Sequence, residues 1–300
     1  MNIRNILSAA LLGTFVLTSC SSDDAADEMQ PREMRFSIST DGTRASHDDV
    51  MSIKNIHLRC ILNDNGPHDI IPGGNGMITI PVESGEVVNP TKIFWPDYTS
   101  KIHVYALVGE NITTVNDTYE INFNLEENQT EDSYGSDLMC CHKYGSYSEL
   151  TNNGVIDLHF GHVLSEVQIN IRGGQDDTAD DITDVTIKGT YCNAVYDYSV
   201  NYLSYGSSIY ADVKPYAVSP EQGSTASYRC LLIPQTTDNM EIYFNYKGKI
   251  YTWRPQIEEM AIGTRYNFDL DLNGQGIKSS AEGCSRRPSE VIACPLSSVR

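Results

Sequence analysis

Cys140-Cys141-His142 is the densest group of side chains that could ligate a metal or attack a substrate. Thiolate and imidazole together suit zinc. The surrounding residues read as a strand, however, and neighbours on a strand point to opposite faces. They converge poorly on one ion, and no companion Cys pair or His-x-x-x-His lies nearby. His159 and His162 are three apart, so they too face opposite ways on a regular strand. His162 reads as a hydrogen-bonded residue at a junction. Asp176, Asp177, Asp180, Asp181 and Asp184 crowd one loop and could attract Ca²⁺, but the EF-hand spacing is missing. A solvated loop is the plainer reading. Gly73, Gly74 and Gly76 lack the phosphate-loop pattern and read as a hairpin. No Ser/His/Asp order or paired-carboxylate frame stands out. These residues point to no enzyme, no cofactor and no resident metal.

The N-terminus carries chemistry of another kind. Arg4 supplies a positive charge ahead of an apolar stretch over residues 6–17, too short to span a bilayer as a helix. It ends in Leu17-Thr18-Ser19-Cys20, small residues before a cysteine, which resembles a bacterial lipobox. Cleavage before Cys20 would leave that thiol as the lipidated N-terminus, anchored in the outer membrane. The run from Ser21 to Glu28 is polar and acidic and reads as a tether. Seven further cysteines remain: Cys60, Cys140, Cys141, Cys192, Cys230, Cys284 and Cys294. Export permits disulfides, and an odd number leaves at least one thiol unpaired within the chain. Cys60, Cys192 and Cys230 sit at strand positions and read as small buried apolar side chains. The formal net charge of −19 argues against nucleic acid and against docking on anionic lipid by charge.

The elements that must position these residues are strands. Met34, Phe36 and Ile38 alternate with polar residues, and Asp41-Gly42 follows as a turn. Ile56, Leu58, Cys60 and Leu62 share a face. So do Ile78, Ile80 and Val82; Ile102, Val104, Ala106 and Val108; and Tyr119, Ile121, Phe123 and Leu125. Ile156, Leu158 and Phe160 lie on even positions, whereas Val167, Ile169 and Ile171 lie on odd ones. A strand changes face only through a bulge, bend or break, so the chain crosses between domains at residues 161–165. Tyr196, Tyr198, Val200 and Tyr202 read as one alternating strand, with a face that packs or stacks on sugars. Lys247-Gly248 is a hairpin turn. Tyr266, Phe268, Leu270 and Leu272 make an inward face, and beyond Asn273 little strand pattern shows except Val291-Ile292-Ala293. The expected fold is all-β, with two tandem β-sandwich domains. Its parts are a signal peptide (1–20), a tether with a first strand (21–45), sandwiches at 46–162 and 163–273, and a tail (274–300).

The series Leu158, Phe160, His162, Leu164, Ser165, Val167, Ile169 and Ile171 resembles the fimbrillin family of type V pilins. Asp137-Leu138-Met139, Phe94-Trp95-Pro96, Ile233-Pro234-Gln235 and the Gly263–Leu272 ending resemble further segments of that family in the same order. The resemblance implies transthyretin-like sandwiches and export as a lipoprotein. It also implies a cut by an arginine-specific protease behind the first strand, where Arg44–Ala45 falls. Loss of the strand bearing Met34, Phe36 and Ile38 would open a groove for a strand from another fimbrillin subunit. The expected role is then a fimbrial subunit or an accessory, tip or anchor protein supporting adhesion to a host or microbial surface. The competing expectation is a monomeric glycan-binding lipoprotein of the outer-membrane surface.

Overall fold

The structure is a computed structural model that describes residues 32–40, 52–63, 67–71, 76–88, 91–110, 112–114, 118–131, 137–205, 210–272 and 278–285. Cys20, Arg44, Ala45, Cys294 and Val291–Ala293 lie outside them. The described chain is nearly all strand, as the period-two pattern requires.

Nine strands form a first sheet: β1 (Arg35–Thr40), β2 (Asn55–Asn63), β3 (Pro67–Asp69), β4 (Ile78–Glu83), β5 (Glu86–Val87), β6 (Ile102–Val108), β9 (Met139–Gly145), β10 (Thr151–Asn152) and β11 (Val155–His162). The main path runs β1-β11-β9-β6-β2-β4-β5. β11 and β9 pair only at Gly161↔Cys140 and His162↔Met139, a corner joint. Ile156, Leu158 and Phe160 on one side of that joint share a core with Ile56, Leu58, Val104, Ala106 and Cys141 on the other. A short helix, α1 (Tyr147–Leu150), caps this region. Its capping box uses Ser146 and Glu149 to satisfy the first-turn amides.

The path between β6 and β9 contributes β7 (Ile112–Thr114) and β8 (Glu120–Asn124) to a four-stranded sheet with β14 (Asn193–Asp197) and β15 (Tyr202–Tyr205). β8 pairs with β14 from Asn124↔Asn193 to Glu120↔Asp197, so strand pairing crosses the residue-162 boundary read from the sequence. Five strands follow the order β17-β18-β12-β21-β22. They are β12 (Ser165–Arg172), β17 (Tyr216–Val218), β18 (Ala226–Leu232), β21 (Arg265–Asp271) and β22 (Lys278–Ser285). A four-stranded sheet, β16-β13-β19-β20, is built from β13 (Ile182–Thr190), β16 (Ala211–Val213), β19 (Glu241–Tyr246) and β20 (Lys249–Trp253).

The change of phase falls where expected. β11 ends at His162, Val163 and Leu164 are buried, and β12 begins at Ser165. Val167, Ile169 and Ile171 then enter a second core with Phe123, Tyr196, Phe244 and Phe268. Tyr105 and Leu107 reach that second core from β6, while Val104 and Ala106 face the first. Both faces of β6 are therefore buried at its end.

Two sequence expectations need correction. Tyr196–Tyr202 is not one strand. β14 ends at Asp197, and Asn201, with φ of 54°, turns the chain back into β15. Tyr196 is buried, whereas Tyr202 is 62% exposed. The Asp197 carboxylate accepts hydrogen bonds from Ser199 N and Oγ, which favours the turn over continued strand. The tail also holds a strand. β22 pairs antiparallel with β21 from Asp271↔Lys278 to Arg265↔Ser285. Such pairing rests on backbone hydrogen bonds and needs no apolar alternation. Lys247-Gly248 forms the expected turn, with positive φ at both positions (48° and 77°).

Candidate functional site

β1 lies at one end of the first sheet and runs parallel to β11, with Phe36↔Ile156, Ile38↔Leu158 and Thr40↔Phe160 in register. The residues before it are stitched on another side. Met34 N donates to Ile93 O (2.7 Å) and Trp95 N to Arg32 O (2.9 Å). Met34 is 1% exposed within the first core, and Phe36 and Ile38 pack partly against it. Burying a side chain like Met34 is worth about 1.5–3 kcal/mol. The strand is thus held by apolar contact on one face and by backbone pairing along β11.

The other face carries polar contacts. Ser37 Oγ donates to Asp157 Oδ1 (3.1 Å), and Ser39 Oγ lies 3.0 Å from both Asp157 Oδ2 and His159 Nδ1. Ser, His and Asp meet here, but the serine sits between the other two. General-base catalysis needs the histidine in the middle, oriented by the carboxylate. The cluster ties β1 to β11.

The junction histidine behaves as expected. His162 Nδ1 pairs with Asp137 Oδ2, and both side chains are buried where β9 begins and β11 ends. Sequence reading singled out Asp137 and His162 separately, and 25 residues divide them. The thiols split by face. Cys141 enters the first core, and Cys140 accepts a hydrogen bond from Tyr196 Oη (3.1 Å) against the second. Burial pushes Cys141 up to about 12 and Cys192 up to about 11, and raises Cys60 and Cys230 further. Such thiols stay protonated and unreactive at neutral pH.

In the Asp176–Asp184 loop, Asp177 accepts from Lys247 Nζ, Tyr246 Oη and Gly174 N, with the Lys247 contact the largest influence holding its carboxyl at about 2. Asp181 Oδ2 accepts from Thr178 N (2.9 Å). These carboxylates already serve the loop's own turns.

A histidine pair escaped the sequence reading because its members are 39 residues apart. His103 Nδ1 and His142 Nε2 lie 3.0 Å from each other, on β6 and β9. The ring centroids are 5.3 Å apart with planes 9° from parallel, so the two nitrogens point straight at each other. That is the geometry of an N–H···N hydrogen bond. Ligands of one ion would converge at an angle. Tyr144 and Tyr105 stack on the pair. Burial lowers the pKa of both rings below the ordinary 6.5, and His103 lowers His142 further. The unfolded chain therefore binds protons that the folded pair resists. Stability from this pair should be complete above pH 6.5 and decline as pH falls below it. A pH series of chemical denaturation should show that decline, and His142→Gln should flatten it.

A family model described as fimbrillin-like matches residues 43–282. The chain belongs to the fimbrillin-like family. A search of curated protein sequences found no match. Among solved structures, this fimbrillin-like chain is similar to a candidate cell adhesion protein of Bacteroides uniformis ATCC 8492. The TM-score is 0.62 at 17% identity, covering 83% of this chain and 96% of that one. A candidate cell adhesion protein of Bacteroides ovatus ATCC 8483 gives a TM-score of 0.62 at 13% identity, covering 87% and 99%. A fimbrial protein of Bacteroides vulgatus ATCC 8482 gives 0.50 at 15% identity, covering 84% and 98%. At such identities the likeness is one of fold, and it agrees with the all-β class.

Proposed function

We propose that this fimbrillin-like chain is exported as a lipoprotein through Cys20 and joins other subunits by strand exchange after a cut at Arg44–Ala45. The observation that carries the reading is the state of β1. It supplies apolar side chains to the first core while pairing with the body through β11. Arg44 follows it in sequence, and the family match begins at residue 43, after the strand. Once Met34–Thr40 leaves, Ile156, Leu158 and Phe160 lose their covering strand and β11 loses its parallel partner. An open edge beside an apolar groove recruits another strand, here one from a neighbouring subunit. The same cut separates the body from the lipid on Cys20. Adhesion by a surface fimbrium, or by an accessory or anchor protein within it, follows.

Digestion of lipid-free chain with an arginine-specific protease tests this. One cut at Arg44–Ala45, loss of the first strand and growth of oligomers on native sizing are expected. Arg44→Ala should remain uncut there and monomeric. Oligomers of Arg44→Ala that match those of the parent would refute the proposal.

A further inference from the structure

Tyr191, Tyr205 and Tyr210 come together on the surface of the C-terminal half. Tyr191 and Tyr205 stack with centroids 4.4 Å apart and planes 15° from parallel. Tyr210 continues the array at 5.0 Å from Tyr191, tilted by 35°. Tyr205 is 42% exposed and Tyr210 45%. Each ring is tethered by its polar end. Tyr191 Oη donates to Tyr210 Oη (3.3 Å), Tyr205 Oη to Pro234 O (2.7 Å), and Asn239 Nδ2 to Tyr210 Oη (2.6 Å). Tyr191 is fixed again through its backbone N–H, which donates to Gln235 Oε1 (3.1 Å).

An array whose rings are already fixed binds with little further loss of entropy. The chemistry narrows the ligand. Ring faces carry negative quadrupole and attract weakly positive C–H groups. The surrounding hydroxyls and the Asn239 amide offer short-range hydrogen bonding. A pyranose ring, with one C–H face and a rim of hydroxyls, matches both. Negative charge argues against acidic sugars and nucleic acid. Glu259 is close enough to Tyr205 to help raise its pKa, after burial, and the whole chain carries −19. Stacking sites for single-stranded nucleic acid need a basic groove beside the rings.

We propose that Tyr191, Tyr205, Tyr210 and Asn239 form a binding platform for neutral hexopyranose chains. The platform gives the surface role a ligand class, and it acts whether or not β1 is exchanged. The test uses uncut, lipid-free full chain with maltohexaose, cellohexaose and mannohexaose as probes and dextran sulfate as the charged comparison. Saturation-transfer NMR should show contact through the sugar C–H protons for at least one neutral probe. Titration calorimetry should show Tyr210→Ala weakening that probe about two- to tenfold, the scale of one lost ring contact. Ile250→Ala, at an exposed position on β20, should leave affinity unchanged. Should Tyr205→Ala fail to fold, Tyr210→Ala and Asn239→Ala carry the test, each with its melting temperature checked. Absence of binding by all three neutral probes, preference for dextran sulfate, or full affinity in a folded Tyr210→Ala chain would overturn the proposal. None of these outcomes bears on strand exchange, which digestion tests separately.

Discussion

Glu166→Ala should destabilise the protein by about 3–5 kcal/mol, the cost of removing one partner from a buried ion cluster. Glu166 sits on β12 with no exposure, on the face opposite Val167 and Ile169. Arg265 Nη2 donates to its Oε2 (2.9 Å), and Arg229 Nε lies 3.3 Å from its Oε1. The arginine side chains are only 20% and 16% exposed. Without the carboxylate, two guanidinium groups face each other across β12 with little water to compensate them. Gln168 and Asn170 continue the polar row. Arg229 donates to Gln168 Oε1 (3.1 Å) and Asn170 to Asp269 Oδ1 (2.8 Å). Glu166→Gln keeps the shape but not the charge, so it should recover only a minor part of the loss. Urea melts of Glu166→Gln, Arg229→Met and the double variant, set beside Glu166→Ala, would measure the coupling. A Glu166→Ala loss below about 1 kcal/mol would mean that the cluster is solvated and weak.

This row marks where sequence reading stops. The odd positions of β12 were legible because apolar residues at period two admit little but a buried face. The even positions, Glu166, Gln168 and Asn170, look like an ordinary solvent face. Their burial depends on arginines 63 and 99 residues further along, brought alongside by β18 and by the parallel β21. The tyrosine platform was hidden for the same reason. Tyr196 and Tyr202 drew attention by alternation, but Tyr191, Tyr205 and Tyr210 meet through chain reversals. The change of phase near residue 162, the Lys247-Gly248 turn and the hydrogen-bonded role of His162 were readable because each rests on local geometry. β22 was missed because an edge strand pairs through its backbone, leaving side-chain type almost unconstrained.

Gly189→Ala should be comparably damaging, at about 3 kcal/mol or more. Gly189 lies in β13, where pairing with β16 shifts register between Ile187 and Thr190, and its φ is 72°. An added Cβ would stand 1.9 Å from the carbonyl oxygen of Asn239. That oxygen is backbone and not the tip of a flexible side chain, so backbone must move. The expected result is a melting temperature many degrees lower, with hydrogen-exchange protection lost first in β13 and β19. Because Asn239 also holds Tyr210, the same substitution should loosen the tyrosine array before the first sheet is affected. An unchanged melting temperature would mean that the bulge slides to accept a methyl group at no cost.

The parallel pairing of β1 with β11 also has a mechanical consequence. The chain enters β1 at Arg35, opposite Val155, and leaves β11 at His162 on its way to β12. Because the two strands run the same way, these points lie at opposite ends of the ladder. Tension between the N-terminal segment and the C-terminal half therefore loads all six register pairs in shear, and they must yield together. Traction from the Thr40 end would instead open the same pairs one after another. The ladder resists a pull applied at its opposite ends and gives way to peeling from a free end at Thr40.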